Sequence, residues 1–382
     1  MIIPPLCPNP KCQHHHYSEE GEESVFYNLK GTYHTKVLGR VQRFQCKSCG
    51  IYFGERTTDI DYYAKKTLPN NEIRHDQNSS ASLSAIARKY GCRTECIQNR
   101  IDRLARNNIA MHARLRKELV LREDLVADGF ESFDCSQYFP NNINIVVGKE
   151  SQFQYEFTHS TIRRKGRMTK EQRAKRDLLE KSFKAKPSAI RDAFEQALRS
   201  AIEVWDEKEM PHLVLETDQH KAYPLAIQRI DRLVEAMREG RFTHITHSSK
   251  IIRNTSNPLF PVNYFDREIR KDLANHHRET KCFTRNVSNG LMRYTVYVHY
   301  HNYLKGYRIK LRKHQWIKHA MVAGIDPISI QRELKRCYRH RAFISKQDLT
   351  PEERRIWLKE HPNPLSTKPN YVPKYVRASL ED

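Results

Sequence analysis

The chain has 382 residues, and its 67 Lys and Arg against 45 Asp and Glu leave a formal net charge of +22. That length exceeds one compact core and calls for two or three domains of roughly 100–200 residues. A folded enzyme of small molecules has no use for such an excess of positive charge; a polyanion, met through phosphate contacts and counterion release, explains it.

No apolar run approaches the roughly 18 residues of a membrane span. Met1–Leu6 is too short for the apolar region of a signal peptide and carries no basic lead. A cytoplasmic, nucleoid-associated protein with no membrane partner is expected. In that compartment nine cysteines suggest metal before disulfide.

Residues 1–60 are cysteine-bearing and strand-like. Cys7-x4-Cys12 and Cys46-x2-Cys49 are two short knuckles, and the second lies inside the alternating stretch "RFQCKSCGIYFGERT". Two pairs of soft ligands are what a tetrahedral structural Zn²⁺ needs, and the metal replaces the core so short a segment lacks. His14, His15 and His16 are held in reserve as rivals to Cys12. Cys92, Cys96, Cys135, Cys282 and Cys337 lack metal spacing and read as core residues.

Residues 61–80 are polar and read as a linker. Next, "LSAIARKYGCRTECIQNRIDRL" reads as a helix-turn-helix, with Leu83, Ile86, Ala87 and Tyr90 on one helix and Ile97, Ile101 and Leu104 on the other. Gly91 occupies the turn, where a positive φ is needed. The second helix is expected to expose Thr94, Gln98, Asn99 and Arg100 to a DNA groove. A further basic helix is expected over 108–124.

Apolar strands follow in 125–150. Residues 161–207 are charged and helix-prone, with Ile190, Phe194, Ala197, Leu198, Ile202 and Trp205 along one face of the second half. The buried strand "HLVLET" ends at Asp218, with a helix from about Pro224. Residues 263–345 read as mostly helical, and the Pro-rich end from about 361 as extended or disordered.

Two acids, Asp128 and Asp218, stand where apolar strands give out, the usual place for reactive groups in an α/β sheet. A third cluster, Asp266, Glu268 and Asp272, lies on the helical stretch "YFDREIRKDLANHH". Three carboxylates from separate elements are what a pair of divalent cations about 4 Å apart requires.

Taken in order, these stretches resemble bacterial insertion-sequence transposases of the DDE type. The likeness is carried by "RFQCKSCGIYF", "ADGFESFDCSQYFPNNINIVVGKES", "LETDQHKAYP" and "NPLFPVNYFDREIRKDLANHHRETKCFTRN", and spans roughly residues 5–310. The resemblance implies a zinc ribbon (1–60), a helix-turn-helix domain (61–122), an α/β ribonuclease-H-like catalytic domain (123–345, with 161–207 as a helical insertion) and a tail (346–382). It also implies two Mg²⁺ or Mn²⁺ ions and cleavage and joining of double-stranded DNA at the element's ends, with homo-oligomers assembled on that DNA.

The chain departs from the family at the third acid, because Asp266 precedes Arg267 and Glu268 follows it. The two point about 200° apart on a helix, so only one can face the metals. Glu268 is favoured by residue type, Asp266 by context. Arg267, Arg270, Lys271, Arg278 and Arg285 are expected beside the passing phosphates. The alternatives are a zinc-ribbon, helix-turn-helix regulator without catalysis and an inactive, domesticated transposase.

Overall fold

The computed structural model describes residues 4–16, 25–277, 281–308 and 316–377. A single turn, α1 (Gln13–His16), precedes a three-stranded antiparallel sheet of β1 (Tyr27–Thr35), β2 (Gly39–Cys46) and β3 (Tyr52–Gly54). Its apolar centre is only Phe44 and Phe53 with Cys7, Cys12 and Cys46, flanked by Phe26 and Tyr27. So small a core falls short of the chain entropy lost on ordering.

Three helices follow: α2 (Asn70–Gln77), α3 (Leu83–Lys89) and α4 (Thr94–Arg116). Ser82 starts α3 by accepting the Ala85 N–H at 3.3 Å. Gly91, at φ +56°, turns the chain into α4. The expected break before residue 108 is absent, and α4 runs unbroken for 23 residues. Arg106-Asn107-Asn108 reads as a helix end, but the Asn107 amide does not cap the helix. It donates to the Cys337 and His340 carbonyls at 2.6 and 2.7 Å, a distant pairing that local sequence does not announce.

The second sheet is mixed: β4 (Leu125–Phe133), β5 (Pro140–Gly148), β6 (Gln154–Thr161), β7 (Leu213–Asp218) and β8 (Phe242–His247). Its order is β6-β5-β4-β7-β8. The first three strands pair antiparallel, and β7 and β8 add in parallel to β4. Strand residues alternate between faces. Leu125, Ala127, Leu213 and Leu215 pack into one apolar cluster, while Val126, Phe130, Ile143 and Ile145 pack into another on the opposite face.

Between β6 and β7 lie α5 (Lys170–Leu179) and α6 (Ala189–Ala201). The expected insertion over 161–207 is corrected here. Only α5, which buries no residue, is an appendage. The crossover helix α6 packs on β5 and β6, and Phe194, Ala197, Leu198 and the following Ile202 and Trp205 are buried in the second cluster. Each such large apolar side chain contributes about 1.5–3 kcal/mol, so α6 belongs to the core. Its Lys- and Arg-rich outer face makes it look detachable in sequence.

Helices α7 (Ala222–Ile227) and α8 (Asp231–Arg238) join β7 to β8; α9 (Phe260–Asp272) then lies against β4 and β5. Helix α10 (Val287–His299) packs along α4 and continues into a π-helical turn, Tyr300–Leu304. Two further helices are α11 (His319–Val322) and α12 (Pro327–Arg339).

The C-terminal region is also a correction. Helix α13 (Pro351–Trp357) opens with a Thr350–Glu353 capping box. A last turn, α14 (Lys374–Arg377), brings Val376 into the first cluster with Val372 and Trp357. The Asn370 amide donates to the Lys359 carbonyl at 2.7 Å. Prolines stiffen this segment, but it is packed. The first cluster also unites Ile73, Ile86, Ile97 and Ile101 with Val126 and Phe130, so the expected boundary at 122 does not divide two cores. Among the described residues, no helix is long and apolar enough to cross a membrane.

Candidate functional site

Two sites stand out. In the first, Cys7, Cys12, Cys46 and Cys49 bring their sulfurs within 4.8 Å of one another. The Cys7–Cys49 and Cys12–Cys46 separations are 3.6 and 3.7 Å. A zinc ion with ligands at about 2.3 Å in a tetrahedron spaces its sulfurs about 3.8 Å apart, so the residues fit a structural metal ion. Backbone geometry builds the site: the Gly50 N–H closes the second knuckle on the Cys46 carbonyl, and the Cys12 N–H closes the first on the Asn9 carbonyl. Burial pushes the Cys7 and Cys12 thiols above their usual range. At Cys49 burial acts in the same direction, but the Ile51 N–H and neighbouring groups outweigh it and bring the thiol down to about 7.

Two of the histidines next to Cys12 have other partners: His16 donates from Nε2 to the Pro10 carbonyl at 2.8 Å. Buried His15 donates from Nδ1 to the Cys7 carbonyl and accepts at Nε2 from the Ser345 hydroxyl, both at 2.7 Å. Burial lowers its pKa to about 4, so it stays neutral. It braces a knuckle against the C-terminal region and does not replace Cys12 in the cysteine cluster.

The second site is acidic. Ala127 and Thr217 are the last register partners of the parallel pair β4–β7, so Asp128 and Asp218 stand side by side just beyond it. Asp218 closes β7, but the expectation that Asp128 ends its strand is corrected: antiparallel pairing with β5 carries β4 on to Phe133. Both aspartates share the sheet face of Val126 and Phe130, by strand alternation. Helix α9 covers that face with Val262, Phe265 and Ile269. Burial and then the charge of Asp218 raise the Asp128 pKa to about 6. Burial and then the charge of Asp128 raise Asp266 well above the carboxylate range. The Asp266 Oδ1 atom is buried and has no hydrogen-bond partner.

Glu268 is elsewhere. It is buried and ion-paired with Lys305 at 2.6 Å and Lys271 at 2.8 Å. Burial alone would raise its pKa, yet these two cations hold it below the usual value. The π-helical turn after α10 delivers Lys305 to it. Asp266 and Glu268 therefore diverge as helical geometry requires, and it is Asp266 that feels the charge of Asp128.

Among the described residues, only the cysteines gather three or more ligating atoms within 4.8 Å. The aspartates are near enough to perturb one another, yet their carboxylates turn partly inward. Asp218 accepts the His220 N–H at 2.9 Å, and Asp128 accepts the Gly129 N–H at 2.7 Å.

Two neighbours escaped the reading of the sequence. Tyr223 is buried and hydrogen-bonded to Asp128; burial and then the charges of Asp128, Asp218 and Asp266 raise its hydroxyl pKa far above the usual value. Its signal was the aromatic in "DQHKAYP". Exposed Arg253 acts electrostatically on both Asp128 and Asp266. It lies in the loop before α9, and nothing in the sequence marks it.

The groove-facing expectation is corrected at two positions. Gln98 and Arg100 are buried. Gln98 donates to Asp102, and Arg100 is paired with Asp61 and the Lys66 carbonyl. The cause is that residues 61–69, expected as a linker, lie against α4. Thr94 is half-buried and Asn99 exposed. Arg267 is exposed and stacks over Tyr264 at 5.0 Å, and Arg285 is exposed. Arg270 donates to the Glu131 carbonyl and stacks on Phe130, so it fastens α9 to β4. Lys271 is drawn to Glu268. Arg278 lies outside the described residues.

Comparison of the chain with known protein families and with curated proteins finds no match.

Proposed function

We propose that this protein is a DNA transposase of the DDE type, which binds the ends of an insertion element and cleaves and joins DNA strands with divalent cations. The observation that carries this reading is the side-by-side pair Asp128 and Asp218 just beyond the parallel pairing of β4 and β7, with Asp266 near them on α9. The strand order, three antiparallel strands followed by two parallel ones, supports a ribonuclease-H-like catalytic domain.

Asp128, Asp218 and Asp266 would hold two Mg²⁺ or Mn²⁺ ions. When bound, such a pair activates an attacking oxygen and stabilises the leaving oxygen in an in-line displacement at phosphorus. The orphaned Asp266 Oδ1 and the raised pKa values fit this role, because crowded carboxylates without a cation hold protons they give up to a metal. Tyr223 fixes the Asp128 carboxylate. Arg253 offers a positive charge beside the acids for the scissile phosphate. Glu268 is a positioning residue that ties α9 to Lys305. The exposed Asn99, Arg267 and Arg285 and the half-buried Thr94 supply contacts for DNA, which the +22 charge supports. The cysteine site would hold zinc for structure alone.

The test uses a supercoiled plasmid carrying the DNA that flanks the gene. Purified protein with Mg²⁺ should nick it at the repeat ends, and Asp218→Ala should bind the ends without nicking. Binding with no nicking by the unaltered protein under Mg²⁺ or Mn²⁺ would favour a regulator or an inactive transposase.

A further inference from the structure

A cavity of about 30 Å³ lies between α4, the segment after α12 and the C-terminal helices, lined by Arg103, Arg106, Arg341, Trp357 and Tyr375 among others. One water needs about 10–15 Å³ by this measure, so the cavity holds a group of several atoms. Three hydrogen-bonding atoms of its lining residues are buried and unpartnered: Arg106 Nη2, Arg341 Nη1 and Trp357 Nε1. All three are donors, and none of them accepts. Arg106 is 6% exposed and Trp357 1%.

The neighbouring groups do not neutralise them. Arg103 adds a third guanidinium, with Nη1 donating to the Ile60 carbonyl and Nε to Asn99. The carboxylate that acts on Arg106, Asp102, is paired with Lys359 and accepts from Gln98. Tyr62 and Tyr375 add hydroxyls and ring faces but no charge. Burying guanidinium groups with unmade hydrogen bonds is costly. A lining of orphaned donors with surplus positive charge calls for a guest that only accepts and carries negative charge.

We propose that this cavity binds a small oxyanion of the phosphate type. Several oxygens on one centre satisfy donors arriving from different directions, which a single water does not. The anion also has a structural consequence. Arg341 donates its backbone N–H to Thr58 at 2.7 Å and stacks its guanidinium on Phe343 at 4.1 Å. Phe343 in turn packs edge-on against His15, which braces Cys7. The site therefore clamps the seat of the cysteine ribbon to α4. Free phosphate and a nucleic-acid phosphate share this chemistry. Tyr63, 72% exposed and 4.2 Å from Tyr62, offers a stacking face beside the cavity for the second source.

The experiment titrates inorganic phosphate into the full-length, zinc-loaded protein at constant ionic strength, maintained with a bulky sulfonate. The Trp357 indole N–H resonance, assigned with Trp357→Phe, should shift saturably with a Kd below about 1 mM. Phosphate at 100 times Kd should raise the folded-to-unfolded ratio about 100-fold, seen as a higher Tm. Arg341→Gln should lose that rise. If Arg341→Gln fails to fold, the indole titration of the unaltered protein decides. Displacement of bound phosphate by a 5′-phosphorylated single-stranded oligonucleotide, and not by its unphosphorylated form, would make nucleic acid the source; no displacement would make it the free anion. An unshifted indole resonance, or a Tm rise equal in Arg341→Gln and the unaltered protein, would overturn the proposal. Neither outcome depends on nicking, so this site stands or falls apart from the acidic one.

Discussion

In the cysteine site, four sulfurs from two distant knuckles already stand within 4.8 Å of one another, two of the separations at 3.6 and 3.7 Å, close to an edge of a zinc tetrahedron. At the acidic site, Asp128 and Asp218 share one sheet face and Asp266 lies on the helix that covers it, yet the three gather no ligand cluster: Asp128 and Asp218 hold backbone N–H groups and the Asp266 Oδ1 has no partner. The difference is one of charge and backbone. Thiols can stay neutral, and closed knuckles leave them little freedom, so the cysteine site forms with the fold. Carboxylates repel at short range and are set on three separate elements, so on the proposed reading their convergence would wait for a cation. One site is part of the architecture; the other is poised on it.

The largest effect that separates the two belongs to the acids. Asp128→Ala, Asp218→Ala or Asp266→Ala should cut Mg²⁺-dependent nicking by on the order of 10³-fold or more, with zinc content unchanged. Equal nicking by Asp266→Ala and the unaltered protein would remove it from the site. Cys46→Ser, or chelation, should do the reverse. Structural zinc contributes of order 10 kcal/mol to a domain this small. Zinc loss should therefore abolish recognition of element ends in a binding assay, while weak unspecific nicking persists. Full sequence-specific binding by zinc-free protein would break the division of labour.

Glu268→Gln sharpens the contrast between the two acids on α9. It leaves Lys305 buried without its partner, so chemical denaturation should show a loss of about 3 kcal/mol, with the metal dependence of nicking retained. A smaller effect concerns pH. The Asp128 pKa is raised in the folded protein, to about 6, so between roughly pH 4 and 6 the native state binds more protons than the unfolded one. The metal-free protein should lose stability as pH rises through that window. Asp128→Asn should flatten the slope and gain on the order of 1 kcal/mol at pH 7, checked by thermal unfolding with and without Mg²⁺.

Sequence legibility followed the range of the interactions. Cysteine spacing, the Gly91 turn and the acid closing β7 are local signals, and each was readable; that β4 runs on past Asp128 was not, because its pairing with β5 is what extends it. The choice between Asp266 and Glu268 was not, because it depends on Lys305, which reaches α9 only through the π-helical turn after α10. Arg100 looked like a DNA contact until Asp61 claimed it. The amphipathic face of α6 was visible, but its burial against β5 and β6 depends on a crossover that charge on its outer side disguised. The C-terminal segment, proline-rich and polar, buries Val372 and Val376 against Trp357, a contact no periodicity announces.

The most direct measurement is anomalous diffraction from a crystal soaked in Mn²⁺. The account predicts manganese density bounded by Asp128, Asp218 and Asp266, with the Glu268–Lys305 pair intact. Manganese coordinated by Glu268, or no manganese between Asp128 and Asp218 at saturating concentration, would contradict it.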